Sequence, residues 1–300
     1  MLFACRQAFP QFVFELKIIK TTGDKLQNAP VSEVGKTLPK GLFTKELEVA
    51  LLEGNADLAV HSLKDLPTDL PAGLKLAATP ERADVRDVLI YRASGSAQRG
   101  FAPHTQPADF PAGITVATSS TRRKMQLLAA RPNFNMVEMR GNVSTRLQKV
   151  AERGELDATV LALAGLTRLN FKVDLESGKL CGEGVPEGLL ATILDLDVML
   201  PCVGQGAIGI ETRANDERIE TICARLNHAG TFHCVTAERA FLQAMGGGCL
   251  SPVAAHAEIK GDDISMRAVS FCDGNAKRSD GQRPAAQATA LGVELARNLK

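Results

Sequence analysis

The stretch Ile114-Thr-Val-Ala-Thr-Ser-Ser-Thr-Arg-Arg-Lys-Met-Gln-Leu127 carries two structural periods in succession. Ile114 to Thr118 is a short, β-branched apolar run and predicts a strand. Ser119, Ser120 and Thr121 are helix-capping residue types, and the residues after them favour a helix. A strand that runs straight into a capped helix is half of a βαβ unit, the building block of a largely parallel, helix-covered sheet. The same order recurs downstream. Asn135 to Arg140 (NMVEMR) leads into Gly141-Asn-Val-Ser-Thr-Arg146, and Ala158 to Leu163 (ATVLAL) leads into Ala164-Gly-Leu-Thr-Arg168. Upstream, Lys45 to Leu52 reads as a helix, Gly54-Asn55 as a turn and Asp57 to Val60 as a short buried strand. The alternation holds through most of the first 215 residues and gives the class, α/β.

Outside that pattern, Ala93 to Ala112 is rich in Gly, Ser, Pro and Gln and predicts a linker or surface loop. Residues 172 to 190 are Gly-rich and charged without a clear period, as expected of an insertion or loop. After Thr212 the chain reads as helix, a second helix ending at Gly246-Gly-Gly, and a strand near Val253 to Ile259, which suggests a separate C-terminal α+β domain. No solenoid-length repeat and no low-complexity tract is present.

The 300 residues carry 35 basic and 34 acidic side chains, a net charge of +1, so no whole-surface field favours nucleic acid or an anionic membrane. Anion recognition must come from local clusters. The seven cysteines are odd in number and form no CxxC pair, against both a disulfide framework and a zinc site. Most of them read as small buried residues. No run approaches the roughly 20 apolar residues that span a bilayer, and the opening Met1-Leu-Phe-Ala-Cys-Arg6 lacks a basic n-region. The expected location is the cytoplasm, where the Asn142-Val-Ser144 sequon has no use.

The strand ends of the middle segment concentrate arginine. Arg122, Arg123 and Lys124 fill the first turn of a helix, where each cation faces the positive end of the macrodipole at a cost of roughly several tenths of a kcal/mol. A bound anion reverses that sign. Arg140 and Arg146 flank the second junction and Arg168 follows the third. Ligands of open α/β sheets sit beyond the carboxyl ends of strands, so these junctions can converge on one polyanion. Solvation, or pairing with Asp and Glu, is the alternative for each arginine. Another strand end runs into His61-Ser62-Leu63-Lys64-Asp65-Leu66-Pro67, where Asp65 either caps a turn or serves as a catalytic acid facing a cationic intermediate.

Cys249 follows Gly246-Gly-Gly and precedes Leu-Ser-Pro. A thiol on such a loop can act as a nucleophile, or be merely small and buried. Gly204-Gln-Gly-Ala-Ile-Gly209 fits the dinucleotide expression GxGxxG, but Ile208-Gly-Ile-Glu-Thr alternates like a strand instead of opening a helix. These glycines read instead as places where backbone passes close to backbone. The scattered histidines offer no metal-ligand spacing.

Taken together, Lys40-Gly-Leu-Phe-Thr-Lys-Glu-Leu-Glu, Val60-His-Ser-Leu-Lys-Asp-Leu-Pro, Thr118-Ser-Ser-Thr-Arg-Arg, Met139-Arg-Gly-Asn-Val-Ser-Thr-Arg-Leu, Leu200-Pro-Cys-Val-Gly-Gln-Gly-Ala-Ile-Gly, Ala237-Glu-Arg and Gly247-Gly-Cys-Leu-Ser-Pro resemble the porphobilinogen deaminase (hydroxymethylbilane synthase) family. The resemblance covers about residues 13 to 270. It implies two type II periplasmic-binding-protein-like α/β domains around a cleft plus a smaller C-terminal α+β domain. The expected boundaries are 1–92 with 199–214, then 93–198, then 215–300. It also implies a transferase that condenses four porphobilinogen molecules into hydroxymethylbilane with release of ammonia, a step of heme and other tetrapyrrole biosynthesis.

By the same resemblance Cys249 carries a covalent dipyrromethane cofactor and Asp65 is the catalytic carboxylate, stabilising positive charge as an azafulvene-like electrophile forms. Ser62, Lys64, Thr118, Ser119, Ser120, Arg122, Arg123, Arg140 and Arg146 are the implied cofactor-binding residues, and Lys40 and Arg168 bind substrate. No metal, nucleotide, nucleic acid or membrane partner is implied, and the chain is expected to be a monomer. Family members typically begin with a strand and turn of the type Arg-Ile-Ala-Thr-Arg-x-Ser-x-Leu-Ala. This chain opens at Met1-Leu-Phe-Ala-Cys-Arg-Gln-Ala-Phe-Pro, which predicts a truncated or mis-assigned start. A non-catalytic anion-binding module is the alternative function. Gly35-Lys-Thr-Leu-Pro-Lys40 and the 170–198 region are longer than the family pattern.

Overall fold

The structure, a computed structural model, describes residues 1–22, 44–95, 98–248 and 251–300. In chain order the first part holds α1 (Leu2–Ala8), α2 (Lys45–Leu52), β1 (Leu58–Ser62) and β2 (Leu74–Ala78). The middle part comprises β3 (Asp87–Arg92), β4 (Thr115–Ala117), α3 (Thr121–Ala130), β5 (Asn135–Val137), α4 (Val143–Glu152), β6 (Ala158–Ala162), α5 (Leu163–Thr167), β7 (Lys172–Val173), β8 (Leu180–Cys181) and β9 (Leu189–Ile193). Then follow β10 (Ile208–Arg213), α6 (Glu217–Leu226), α7 (Ala229–Ala244), β11 (Val253–Lys260), β12 (Asp263–Ser270), β13 (Lys277–Pro284) and α8 (Ala288–Leu299).

These elements make two α/β lobes and a third domain. The second lobe is a five-stranded sheet of order β5-β4-β6-β3-β9. Its β4 runs parallel to β5 and β6, as the strand–helix alternation predicts, while β3 runs antiparallel to both β6 and β9. All six residues of β3 are buried. A strand covered on both faces shows a continuous apolar run and no alternation. Val88 and Ile90 feed the core under α4, while Leu89 and Tyr91 feed the opposite core with Phe110, Ile114 and Leu127. The first lobe, among the described residues, has the order β1-β10-β2, all antiparallel. The α/β class and a smaller C-terminal domain are as expected.

Two expectations change in detail. Asp87–Arg92 pairs wholly within the second sheet, so a border after residue 92 falls one strand late. The segment read as an insertion contains a small β7–β8 hairpin and, from Leu189, the core strand β9. Both strands escaped sequence reading for one reason: buried edge to edge, they lack the period that marks a half-exposed strand. The expected loop Ala93–Ala112 is largely irregular, yet Phe110 is fully buried and packs edge-on against Tyr91, with ring centroids 5.5 Å apart.

Two connections cross between the lobes, residues 79–86 outward and 194–207 on return. They lie against each other, with Ala83 N donating to Gly206 O (3.2 Å) and Arg82 Nε donating to Gln205 O (2.8 Å). Gly206 adopts φ +82°, and a Cβ there would sit 2.6 Å from Ala83 O, so the approach admits no side chain. The third domain is an antiparallel meander β11-β12-β13 packed on α7 and α8. Among the described residues no helix is long and apolar enough to cross a membrane.

Candidate active site

The turn that bears Asp65 is built from below. Leu63 and Leu66 are buried, with 1% and 4% exposure, and anchor a single 3-10 turn, Leu63–Asp65, at the end of β1. Leu63 N donates to Ala207 O (3.1 Å), and Gly204 packs so closely that a Cβ there would lie 3.2 Å from Lys64 N. The apolar pair pointing inward leaves Ser62, Lys64 and Asp65 toward the cleft. The Asp65 carboxyl is open to solvent, yet the protein around it displaces enough water to push its pKa up from 3.8. Lys64, then Arg168, then His61 pull it back by their charges. Burial pushes the Lys64 ammonium down from 10.5, against the attraction of Asp65, and Arg123 adds repulsion.

Facing this turn are the strand ends of the second lobe. Arg168, just after α5, is exposed and donates from Nη1 to Ser62 Oγ across the cleft (3.0 Å). Arg146 on α4 is half-buried, donates from Nε to Gly141 O (2.8 Å) and has no acidic partner among the described residues; burial, then the neighbouring charge of Arg123, lowers its pKa. Half-buried Arg140 makes no side-chain hydrogen bond or ion pair among the described residues. A desolvated cation beside another cation is unfavourable unless an anion joins them.

Arg122 and Arg123 are placed differently. Both are buried and converge on Asp87, the first residue of β3. Arg122 Nη1 donates to Asp87 Oδ2 (2.8 Å) and Leu200 O (2.6 Å), and Arg123 Nη2 to Asp87 Oδ1 (2.7 Å). Gln205 Nε2 adds a bond to the same Oδ1 (2.9 Å). Burial alone would raise the Asp87 pKa, but the two guanidiniums outweigh it and hold the carboxyl far below the ordinary range. Of the two arginines, Arg122 keeps one buried donor, Nε, with no partner.

The hydroxyls expected to bind ligand have local roles. Ser120 caps α3 by accepting from Arg123 N, and Thr118 Oγ1 accepts from Ser120 N (3.2 Å). Ser119 Oγ donates to Met139 O (2.9 Å) and accepts from Met139 N (3.1 Å), tying the ends of β4 and β5 together. Lys40 and Cys249 lie outside the described residues. Of the other cysteines Cys5, Cys223 and Cys234 are buried as expected, while Cys181 and Cys272 are exposed. Half-buried Cys202 stands close enough to Lys64, Arg122 and Arg123 to feel their charges, with burial pushing its thiol up from 9.0. Among the described residues no group of His, Cys, Asp and Glu could hold a metal.

Residues 4–221 match the family model "Porphobilinogen deaminase, dipyromethane cofactor binding domain", and residues 232–300 match "Porphobilinogen deaminase, C-terminal domain". The chain belongs to the porphobilinogen deaminase family. It is 41% identical over 297 residues to the porphobilinogen deaminase of Chlorobium phaeovibrioides, covering 97% of this chain and 86% of that one. It is likewise 41% identical over 293 residues to the porphobilinogen deaminase of Geobacter metallireducens, covering 97% and 83%. Among solved structures the chain is similar to a probable amino-acid ABC transporter extracellular-binding protein of Bacillus subtilis, with TM-score 0.37, 12% identity and coverage of 74% of this chain and 76% of that one.

Within this deaminase family frame, several residues beside the site escaped the reading of motifs. Asp87 opens an apolar run directly after an arginine, and a carboxylate placed there asks for a buried partner; that signal was present. His61 and Glu211 form a buried pair across β1 and β10 (2.9 Å), which only the strand register reveals. Glu238 on α7, fully buried, accepts both ends of the Arg82 fork (2.7 and 3.0 Å) and the amides of Gly204 and Ala257.

Proposed function

We propose that this chain is a porphobilinogen deaminase that joins four porphobilinogen molecules head to tail into hydroxymethylbilane, releasing ammonia, with Asp65 as its catalytic carboxylate. One observation carries the reading: the Asp65 carboxyl, its pKa raised, lies under the charges of Lys64 and of Arg168, which reaches across the cleft to Ser62, while Lys64 in turn feels Arg123, beside which Arg146 has no acidic partner among the described residues. Each porphobilinogen carries an acetate and a propionate, so substrate and growing product are polyanions. Guanidinium forks and the Lys64 ammonium suit such carboxylates in shape and charge.

Dipyrromethane is itself a polycarboxylate, and the donor set fits it. Arg140, Arg146 and the unpartnered Nε of Arg122 offer free or under-used N–H groups toward an anion. Arg123, Lys64 and the α3 N-terminus add positive potential. Cys249 would hold dipyrromethane, which when bound would supply the pyrrole end that accepts substrate units. Lys40 and Arg168 are assigned to substrate carboxylates; Arg168 meets Ser62, assigned to the cofactor, across the cleft, so that one binding group comes from each lobe.

The chain's own chemistry centres on Asp65. As the C–N bond of the substrate's protonated aminomethyl group breaks, ammonia leaves with the bonding pair and the pyrrole is left cationic. A carboxylate hydrogen-bonded to the pyrrole N–H stabilises that charge in a site where water is partly excluded. The same carboxylate can receive the proton lost from ring carbon after the new C–C bond forms. Thr118, Ser119 and Ser120 fix the strand ends that present the arginines. A cytoplasmic monomer is the proposed state, as the family resemblance implies.

Intact mass and ammonia release test the reading. The protein should carry an adduct equal to two joined pyrrole units, absent after Cys249→Ser. An unmodified chain that releases no ammonia from porphobilinogen would refute it.

A further inference from the structure

The motif Ala237-Glu238-Arg239 on α7 has so far been given a role only for Glu238. Arg239, half-buried beside it, turns the other way. Its Nη1 donates to Leu66 O (3.0 Å), and its Nη2 to Pro67 O (2.6 Å) and Thr68 O (3.4 Å). These are consecutive carbonyls immediately after Asp65. One helical turn along, Gln243 Nε2 donates to Asp69 Oδ1 (2.6 Å). One face of a third-domain helix thus grips the turn of the first lobe that bears the proposed catalytic carboxylate.

The counter-charge for Arg239 is internal. Burial lowers the guanidinium pKa, and the charges of Glu211 and then Asp69 oppose the shift. Glu211 is fully buried on β10, with Oε2 bonded to His61 Nε2 (2.9 Å) and Oε1 without a partner. His61 lies on β1, the strand that runs into the Asp65 turn. The turn therefore rests on a buried series of polar groups, His61, Glu211 and Arg239, in addition to its apolar anchors.

Building on the function proposed above, we infer that Arg239 is a positioning residue: it holds Asp65 in place through the carbonyls of Leu66, Pro67 and Thr68, with Glu211 as its buried counter-charge. The geometry calls for arginine. Pro67 contributes no N–H, and these carbonyls lie outside any sheet ladder, so their partners must come from a side chain or water. A planar fork with donors on both arms spans neighbouring carbonyls that an ammonium can meet only as a point. Gly204 packs against Leu63 and Lys64, Arg239 holds residues 66–68, and Asp65 lies between them in the chain.

The test compares Arg239→Met and Arg239→Lys with the parent in the full chain. Readouts are kcat and KM for ammonia release, intact mass at Cys249, and amide hydrogen exchange over residues 58–70. A carboxylate that loses its position lowers kcat about ten- to a hundredfold in Arg239→Met. KM stays near the parent value, the adduct is retained and exchange in the turn speeds up. Arg239→Lys recovers part of the loss; should the Met variant not fold, the Lys variant carries the same comparison. Unchanged exchange over the turn overturns the inference whether or not the parent is active. So does a fall in kcat that matches an equal loss of adduct, which would make Arg239 a domain-docking residue only. A parent chain with neither adduct nor ammonia release, but with faster exchange in the variants, would instead count against the proposed function alone.

Discussion

Arg168 of the second lobe and Ser62 of the first meet across the cleft, Nη1 to Oγ at 3.0 Å, three residues before Asp65. The same guanidinium is one of the charges that hold the raised Asp65 pKa in check. Removing it therefore has two separable effects. With Arg168→Met, KM rises about tenfold through loss of a charge-assisted hydrogen bond to a substrate carboxylate. In addition, the Asp65 pKa moves further up, so the acid limb of the kcat profile, where the carboxylate becomes protonated, shifts to higher pH. A pH series of steady-state rates measures both.

Asp65→Asn keeps the size of the side chain and a carbonyl acceptor but removes the negative charge. Turnover should fall about 10²- to 10⁴-fold, the range for loss of an electrostatic or acid–base group, while ligand binding is largely kept. Rates and a direct binding measurement with porphobilinogen, run side by side, check the split.

The Asp87 cluster makes a prediction about stability. Asp87→Asn leaves Arg122 and Arg123 buried without a counter-charge and should cost about 3–5 kcal/mol in denaturant unfolding. The sign of its pH dependence follows from a folded pKa held below the ordinary 3.8. The contribution of Asp87 is fully present above that ordinary value and is lost as pH falls toward the depressed one. The stability gap between parent and Asp87→Asn should therefore be constant near neutral pH and narrow in acid.

Arg146 should behave in the opposite way. It is partly desolvated, adjacent to Arg123 and unpaired with any acid among the described residues, so Arg146→Gln removes repulsion and leaves Tm unchanged or raised. Anion binding should weaken about ten- to a hundredfold, the worth of one charged hydrogen bond, and the parent's affinity should fall with added salt. Thermal melts and titrations at two ionic strengths separate the effects.

The parts of the molecule legible in the sequence were those with a period or a local motif. The strand–helix junctions at Thr118, Arg140 and Leu163, the helix Lys45–Leu52 and the Asp65 turn all carry their signals within a dozen residues. The strands Asp87–Arg92 and Leu189–Ile193 did not, because burial on both faces erases alternation. In the site, Lys64, Asp65 and Arg168 stand near one another, and Arg123 is the charge that both Lys64 and Arg146 feel. Sequence reading could not divide the arginines into those committed to Asp87 and those left free, since that division depends on a carboxylate 35 residues away from Arg122. The contacts of Arg239, 171 to 173 residues from its acceptors, are of the same kind.

The two antiparallel strands β3 and β10 carry a consequence for any attempt to take the molecule apart. β3 is the piece of chain by which the second lobe is entered, and β10 the piece by which the first is regained, yet each sits in the interior of its sheet. Cutting the polypeptide between residues 79 and 86 would leave β1 and β2 with facing, unfilled hydrogen-bonding edges where β10 belongs. The first lobe is thus finished only after ribosomal synthesis has passed through the whole of the second. Gene fragments that follow the visible cleft should yield insoluble halves, whereas an insertion in the exposed turn at residues 174–176 of the β7–β8 hairpin, which lies in neither strand, should be tolerated.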